Sequence, residues 1–142
     1  MEVNKLTNYT DSLEYQVNTL SEQVNIQDTE QFYYRDFDSK DAPNSGRKMD
    51  TSMVNILYQI ELRTGENIHI NTAYRTRSRN SNVGGAEKSR HMRGEAVDIR
   101  CKDESLRYDL IKTAMDLGIE RIGIDRRFIH LDLGKGKRVW FY

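Results

Sequence analysis

Apolar residues change period several times along this chain, and each change marks an element. Val3, Thr10, Val17 and Val24 recur every seven residues, and Leu6, Leu13 and Leu20 repeat at the same interval, offset by three. β-Branched residues at one seam position with leucine at the other favour a parallel two-stranded coiled coil. The pattern predicts a helix within residues 1–28. That helix either pairs with a second copy through residues 3–24, giving a homodimer, or folds back on its own domain, since three heptads alone make only a marginal helix. Residues 27–30 read as a break, and Phe32, Tyr33, Tyr34 and Phe37 as an aromatic anchor. Residues 38–48, with the only proline, Pro43, and Asn44-Ser45-Gly46, predict an ordered loop. Met53, Ile56, Leu57 and Ile60 then keep the helical period, after a cap at Asp50 or Thr51 and up to Gly65.

The period falls to two over residues 67–73, where Ile68, Ile70 and Thr72 alternate with His69 and Asn71, as in a half-buried strand. Residues 74–88 are polar, contain Gly84-Gly85, and are too long for a plain turn; ordered loops of this length usually serve a function. A strand follows over 95–101, then a helix over 103–117 with Leu106, Leu110, Ile111 and Ala114 on its inner face and Gly118 at its end. Residues 121–124, 128–133 and 138–141 read as short strands, the last two joined through Gly134-Lys135-Gly136 as a hairpin. This order predicts an α+β domain over residues 29–142, a small antiparallel sheet with flanking helices, preceded by the heptad helix.

Composition narrows the function classes. With 142 residues, 37% hydrophobic and 31% charged, the chain builds one core without staples. Its 22 basic and 22 acidic residues cancel, so no global field draws nucleic acid, and none is expected as a partner. Cys101 stands alone in an apolar alternation, which predicts a buried core thiol rather than a disulfide or a Cys-rich metal site. No stretch has the length of a membrane span. The opening Met1-Glu2-Val3-Asn4-Lys5 lacks the apolar centre of a secretory signal, so synthesis in the cytoplasm is expected.

Candidate chemistry gathers in Ser89-Arg90-His91-Met92-Arg93-Gly94-Glu95-Ala96-Val97-Asp98 and in Phe128-Ile129-His130-Leu131-Asp132. Side chains alternate along a strand, so Asp98 lies opposite the apolar Val97 and Ile99, while His130 and Asp132 project away from Ile129, Leu131 and Leu133. If these strands are neighbours, the polar face collects His91, Asp98, His130 and Asp132. Two imidazoles and a carboxylate are the donors of a zinc site whose fourth position stays open. The same residues allow a non-haem iron triad of His91, His130 and Asp132, which would leave Asp98 idle. His69, opposite two isoleucines with no acidic neighbour, is expected at the surface.

At these residues the chain resembles the zinc D-alanyl-D-alanine carboxypeptidases and the related phage L-alanyl-D-glutamate endopeptidases, whose fold hedgehog signalling domains share. The likeness rests on Ser89-x-His91-x-x-Gly94-x-Ala96-x-Asp98 with the later His130. It extends to Phe37-Asp38-Ser39, Gly46-x-Lys48-Met49-Asp50, Tyr74-Arg75-Thr76, Asn80-x-x-Val83-Gly84-Gly85 and Phe128-Ile129-His130-Leu131-Asp132-x-Gly134 with Trp140, spanning roughly residues 31–142. The resemblance implies Zn2+ held by His91, Asp98 and His130, with Arg75 receiving a substrate carboxylate and Ser89 beside the first ligand. It implies peptidoglycan stem peptides as substrate, cut by a cell-wall enzyme of phage lysis or virion type. One position departs from many relatives: three residues before the last zinc histidine, where they carry the catalytic acid, stands Arg127, which cannot accept a proton at neutral pH. Another branch carries His-x-Asp, as His130-x-Asp132 does here. Asp132 is therefore the expected base or ligand-orienting carboxylate, with Asp125 and Glu95 behind it. The alternative is a zinc-containing peptidoglycan-binding module without turnover.

Overall fold

Alternating apolar residues in the second half of the chain assemble one five-stranded sheet. A computed structural model describes residues 32–142; the heptad helix expected within 1–28, its pairing through 3–24 and the break at 27–30 lie outside the described residues. The strands are β1 (Ile70–Thr72), β2 (Ala96–Arg100), β3 (Arg121–Ile124), β4 (Phe128–Asp132) and β5 (Arg138–Phe141). They run in the order β1-β2-β4-β3-β5. The helices are α1 (Thr51–Thr64), α2 (Arg77–Asn82) and α3 (Glu104–Asp116), with 3-10 turns at Tyr34–Phe37, Ser45–Lys48 and Arg90–Arg93. Among the described residues, no helix is long and apolar enough to cross a membrane.

Val97, Ile99, Ile122, Ile129 and Leu131 form the apolar face of the sheet, none more than 1% exposed. α1 and α3 pack against each other, and their buried Met53, Leu57, Ile60, Leu110 and Ala114 join the same core. Full burial of each such side chain favours folding by about 1.5–3 kcal/mol. Asp50 starts α1 by accepting from the Ser52 N–H, and Gly65 ends it at φ 72°, a left-handed conformation that glycine adopts without strain. Phe32, Tyr34 and Phe37 are buried, as an anchor should be, and Cys101 is buried in the core.

The α+β class stands, but the sheet is mixed. The hairpin expected between β4 and β5 does not form: β5 pairs with β3, in parallel. β4 is already hydrogen-bonded on both sides, to β2 and to β3, so no edge is left for its sequence neighbour. The chain from Leu133 to Lys137 therefore crosses the end of β3 and lays β5 along its outer edge. Residues 74–88 are also not all loop. α2 forms there, started by Thr76, whose hydroxyl accepts from the Arg79 N–H. The strand expected over 67–73 is only three residues long, with an irregular register between Ile70 and Thr72.

Candidate metal centre

Register puts the polar side chains in rows across the second face. Asp98 lies opposite His130 on β4, His130 opposite Gly123 on β3, and Gly123 opposite Trp140 on β5. One step along, Ala96, Asp132, Arg121 and Arg138 form the next row. His91 reaches this face from the Arg90–Arg93 turn, which Ser89 caps by accepting from the His91 N–H at 3.2 Å. Gly94 ends that turn at φ 70°. A Cβ at Gly94 would come 2.2 Å from the Lys48 carbonyl oxygen, so both conformation and space demand glycine.

The donors converge. His91 Nδ1 lies 2.8 Å from the Ala73 carbonyl oxygen. A carbonyl only accepts, so Nδ1 carries the hydrogen and Nε2 keeps its lone pair for the cleft. His91 Nε2 is 3.4 Å and His130 Nδ1 2.9 Å from the same Asp98 Oδ1. One ring nitrogen from each histidine and a carboxylate oxygen of Asp98 lie within 4.8 Å of one another. Ligand atoms around a tetrahedral zinc ion sit about 3.4 Å apart, so this spacing fits the ion. The other nitrogen of His130, Nε2, is 2.8 Å from Asp132 Oδ2. Each ring is thus braced from behind by an oxygen, the arrangement that fixes zinc-binding histidines.

Asp132 is 2% exposed and both its oxygens are engaged. Oδ2 faces His130, while Oδ1 accepts from Arg121 Nε at 2.9 Å and from the Gly134 N–H at 2.8 Å. Burial works against the charge of Asp98, yet the His130 and His91 imidazoles beside it hold its pKa well below the usual carboxylate range. Burial likewise opposes the charged form of Asp132 and is outweighed by His130, Gly134 and Arg121, which lower its pKa. In His130, burial disfavours the charged ring, but Asp132 and Asp98 prevail and raise its pKa.

These groups open into a cleft of about 700 Å³. Among the described residues, Arg75, Lys88, Arg90, Arg121 and Arg138 line it against two acidic side chains, Asp98 and Asp132. Arg75 is held beside the donors because its N–H donates to the His91 carbonyl at 3.0 Å. Its neighbour Thr76 is tied to the 38–48 loop, donating to Ser39 Oγ and Asp41 Oδ2. Phe128, Trp140 and Tyr142 form an aromatic wall, with the Trp140 ring 5.4 Å from that of His130.

Asp98, His130 and Asp132 share the face that strand alternation predicts, His91 joins them from the Arg90–Arg93 turn, and Arg75 and Ser89 line the same cleft. The carboxylate grouped with both imidazoles is Asp98, whereas Asp132 stands behind one ring, which disfavours the iron triad. Glu95 pairs with Arg90 at 2.9 Å, and Asp125 with Arg127 at 3.0 Å; neither lines the cleft. His69 is exposed and apart. Arg121 and Tyr142 were not among the sequence candidates, and Trp140 entered only as part of the family likeness. The signal for Trp140 and Tyr142 was the alternation Arg138, Trp140, Tyr142, which reaches the site once β5 lies beside β3.

The model of one protein family, described as Peptidase M15, matches residues 23–132. It begins a few residues ahead of the boundary expected at residue 29. No curated protein matches the chain.

Proposed function

The chain belongs to the peptidase M15 family, and from that membership we propose a zinc-dependent hydrolase that cuts peptidoglycan stem peptides, as a carboxypeptidase or an endopeptidase of cell-wall lysis. The observation that carries this reading is the convergence of His91 Nε2, Asp98 Oδ1 and His130 Nδ1, with both rings oriented from behind. Zinc held by His91, Asp98 and His130 would supply Lewis acidity and would lower the pKa of a water toward neutrality.

The remaining steps belong to the side chains around it. Arg75, half-buried beside His91, receives a carboxylate of the substrate, since a guanidinium pairs with a carboxylate through two parallel hydrogen bonds. Arg90 and Arg121 are paired with Glu95 and Asp132, but Arg75, Lys88 and Arg138 have no ion pair among the described residues and favour an anionic peptide. The aromatic wall gives the peptide a flat surface to lie against. Ser89 supports the turn that carries His91. Asp132 acts through His130, keeping its hydrogen on Nε2 and its lone pair on Nδ1.

That role for Asp132 is testable. Asp132→Asn weakens zinc binding by roughly 10–100-fold, the usual cost of losing such a partner, and excess zinc restores turnover. Loss of turnover with zinc affinity intact would instead make Asp132 the base.

A second reading, a zinc-containing module that binds stem peptides without turnover, is favoured by the engagement of both Asp132 oxygens and by Arg127 at the relatives' acid position. Digestion of purified peptidoglycan by the zinc-loaded chain, with the masses of released fragments measured, separates the two. Fragments that vanish with a chelator support the peptidase. A chain that sediments with the wall and releases nothing supports the module.

A further inference from the structure

α2 has no apolar face, yet one of its residues, Asn80, is 4% exposed. The Asn80 side chain turns inward. Its Oδ1 accepts from Arg75 Nη1 at 3.0 Å, and its Nδ2 donates to the Ala86 carbonyl at 2.8 Å. A guanidinium only donates and a carbonyl only accepts, so the amide has one orientation that satisfies both. The Gly85 N–H closes the loop by donating to the Asn80 carbonyl at 2.8 Å. Gly85 is also the residue that makes room: a Cβ there would lie 2.0 Å from Asn80 Oδ1 and 2.8 Å from Arg75 Nη1.

Arg75 is thus fixed at two points, its main chain on His91 and one guanidinium nitrogen on Asn80. Nε and Nη2 have no protein acceptor among the described residues, and no carboxylate pairs with the group there. A partly buried guanidinium with no direct ion pair among the described residues is costly, and it attracts a planar anion to its open edge. The choice of Asn over Asp matters, because the amide orients the guanidinium without cancelling its charge.

We propose that Asn80, seated by Gly85, is a positioning residue that presents the Nε–Nη2 edge of Arg75 to substrate and so sets a preference for free carboxylates over carboxamides. The assignment rests on Arg75 as the carboxylate anchor. Its test compares a stem pentapeptide bearing free carboxylates with its fully amidated counterpart, using the zinc-loaded full chain. A hydrogen-bonded charge pair implies a preference of roughly 10–100-fold in kcat/KM for the free acid. Asn80→Asp, the same shape with a charge that neutralises Arg75, brings the ratio close to one through a higher KM for the free acid. Gly85→Ala, which displaces Asn80, does the same. A ratio unchanged in Asn80→Asp overturns the assignment. Cleavage of neither peptide by the unaltered chain overturns the peptidase reading instead. Calorimetric titration of the same two peptides into the zinc-loaded protein and into Asn80→Asp then decides the role of Asn80 without turnover.

Discussion

His130 sits between two carboxylates, and a neutral imidazole has a single hydrogen to share between them. Nε2 meets Asp132 at 2.8 Å and Nδ1 meets Asp98 at 2.9 Å. Without metal, both contacts are hydrogen bonds only if the ring is charged, which is why its pKa is raised although burial opposes it. A raised histidine pKa stabilises the fold below the unfolded value of about 6.5, and that contribution is lost as pH climbs through the folded value. The lowered pKa values of Asp98 and Asp132 stabilise above about 4 and fade as acid protonates them. Metal-free protein is therefore most stable between about pH 4 and 6.5, as thermal melts in chelator across pH would record. Zinc bound at His130 would compete with a proton for the ring, so its affinity would weaken as pH falls. Zinc titrations from about pH 8 to pH 5 check this, and a flat profile contradicts it.

β3 and β5 show what one missing side chain does for an element. Gly123 lies between His130 and Trp140 in the row that crosses the sheet. A Cβ there would come 2.8 Å from three indole atoms, so Gly123→Ala displaces Trp140 from the imidazole. Overpacking of this kind costs about 1–3 kcal/mol, which a denaturation midpoint reads directly. The strands themselves were legible from alternation, as were α1 and α3 from their apolar period and caps. Strand order was not. A Gly-rich link between β4 and β5 looks local, and only the filled edges of β4 send β5 to β3. α2 left no periodic trace because Arg77-Ser78-Arg79-Asn80-Ser81-Asn82 has no apolar face. The polar face of β2 and β4 was legible in full, but the engagement of Asp132 by Arg121 was not, since it depends on that same strand order.

Across the whole molecule, the proposed zinc ligands come from the Arg90–Arg93 turn, β2 and β4, so a bound ion ties three separately formed pieces together. A ligand that binds only the folded state stabilises it by about 2.7 kcal/mol at 100 times its Kd. Removing zinc by chelation should lower the melting temperature by several degrees, and an unchanged melt would argue against a site built from these elements. Trp140 is the chain's only tryptophan. Its ring is tilted 52° against that of His130. Nature has thereby placed a single fluorophore beside the proposed binding centre, so exchanging proton for cation on that imidazole should change its emission. Occupancy then becomes visible in solution without any dye, and Gly123→Ala should mute the signal.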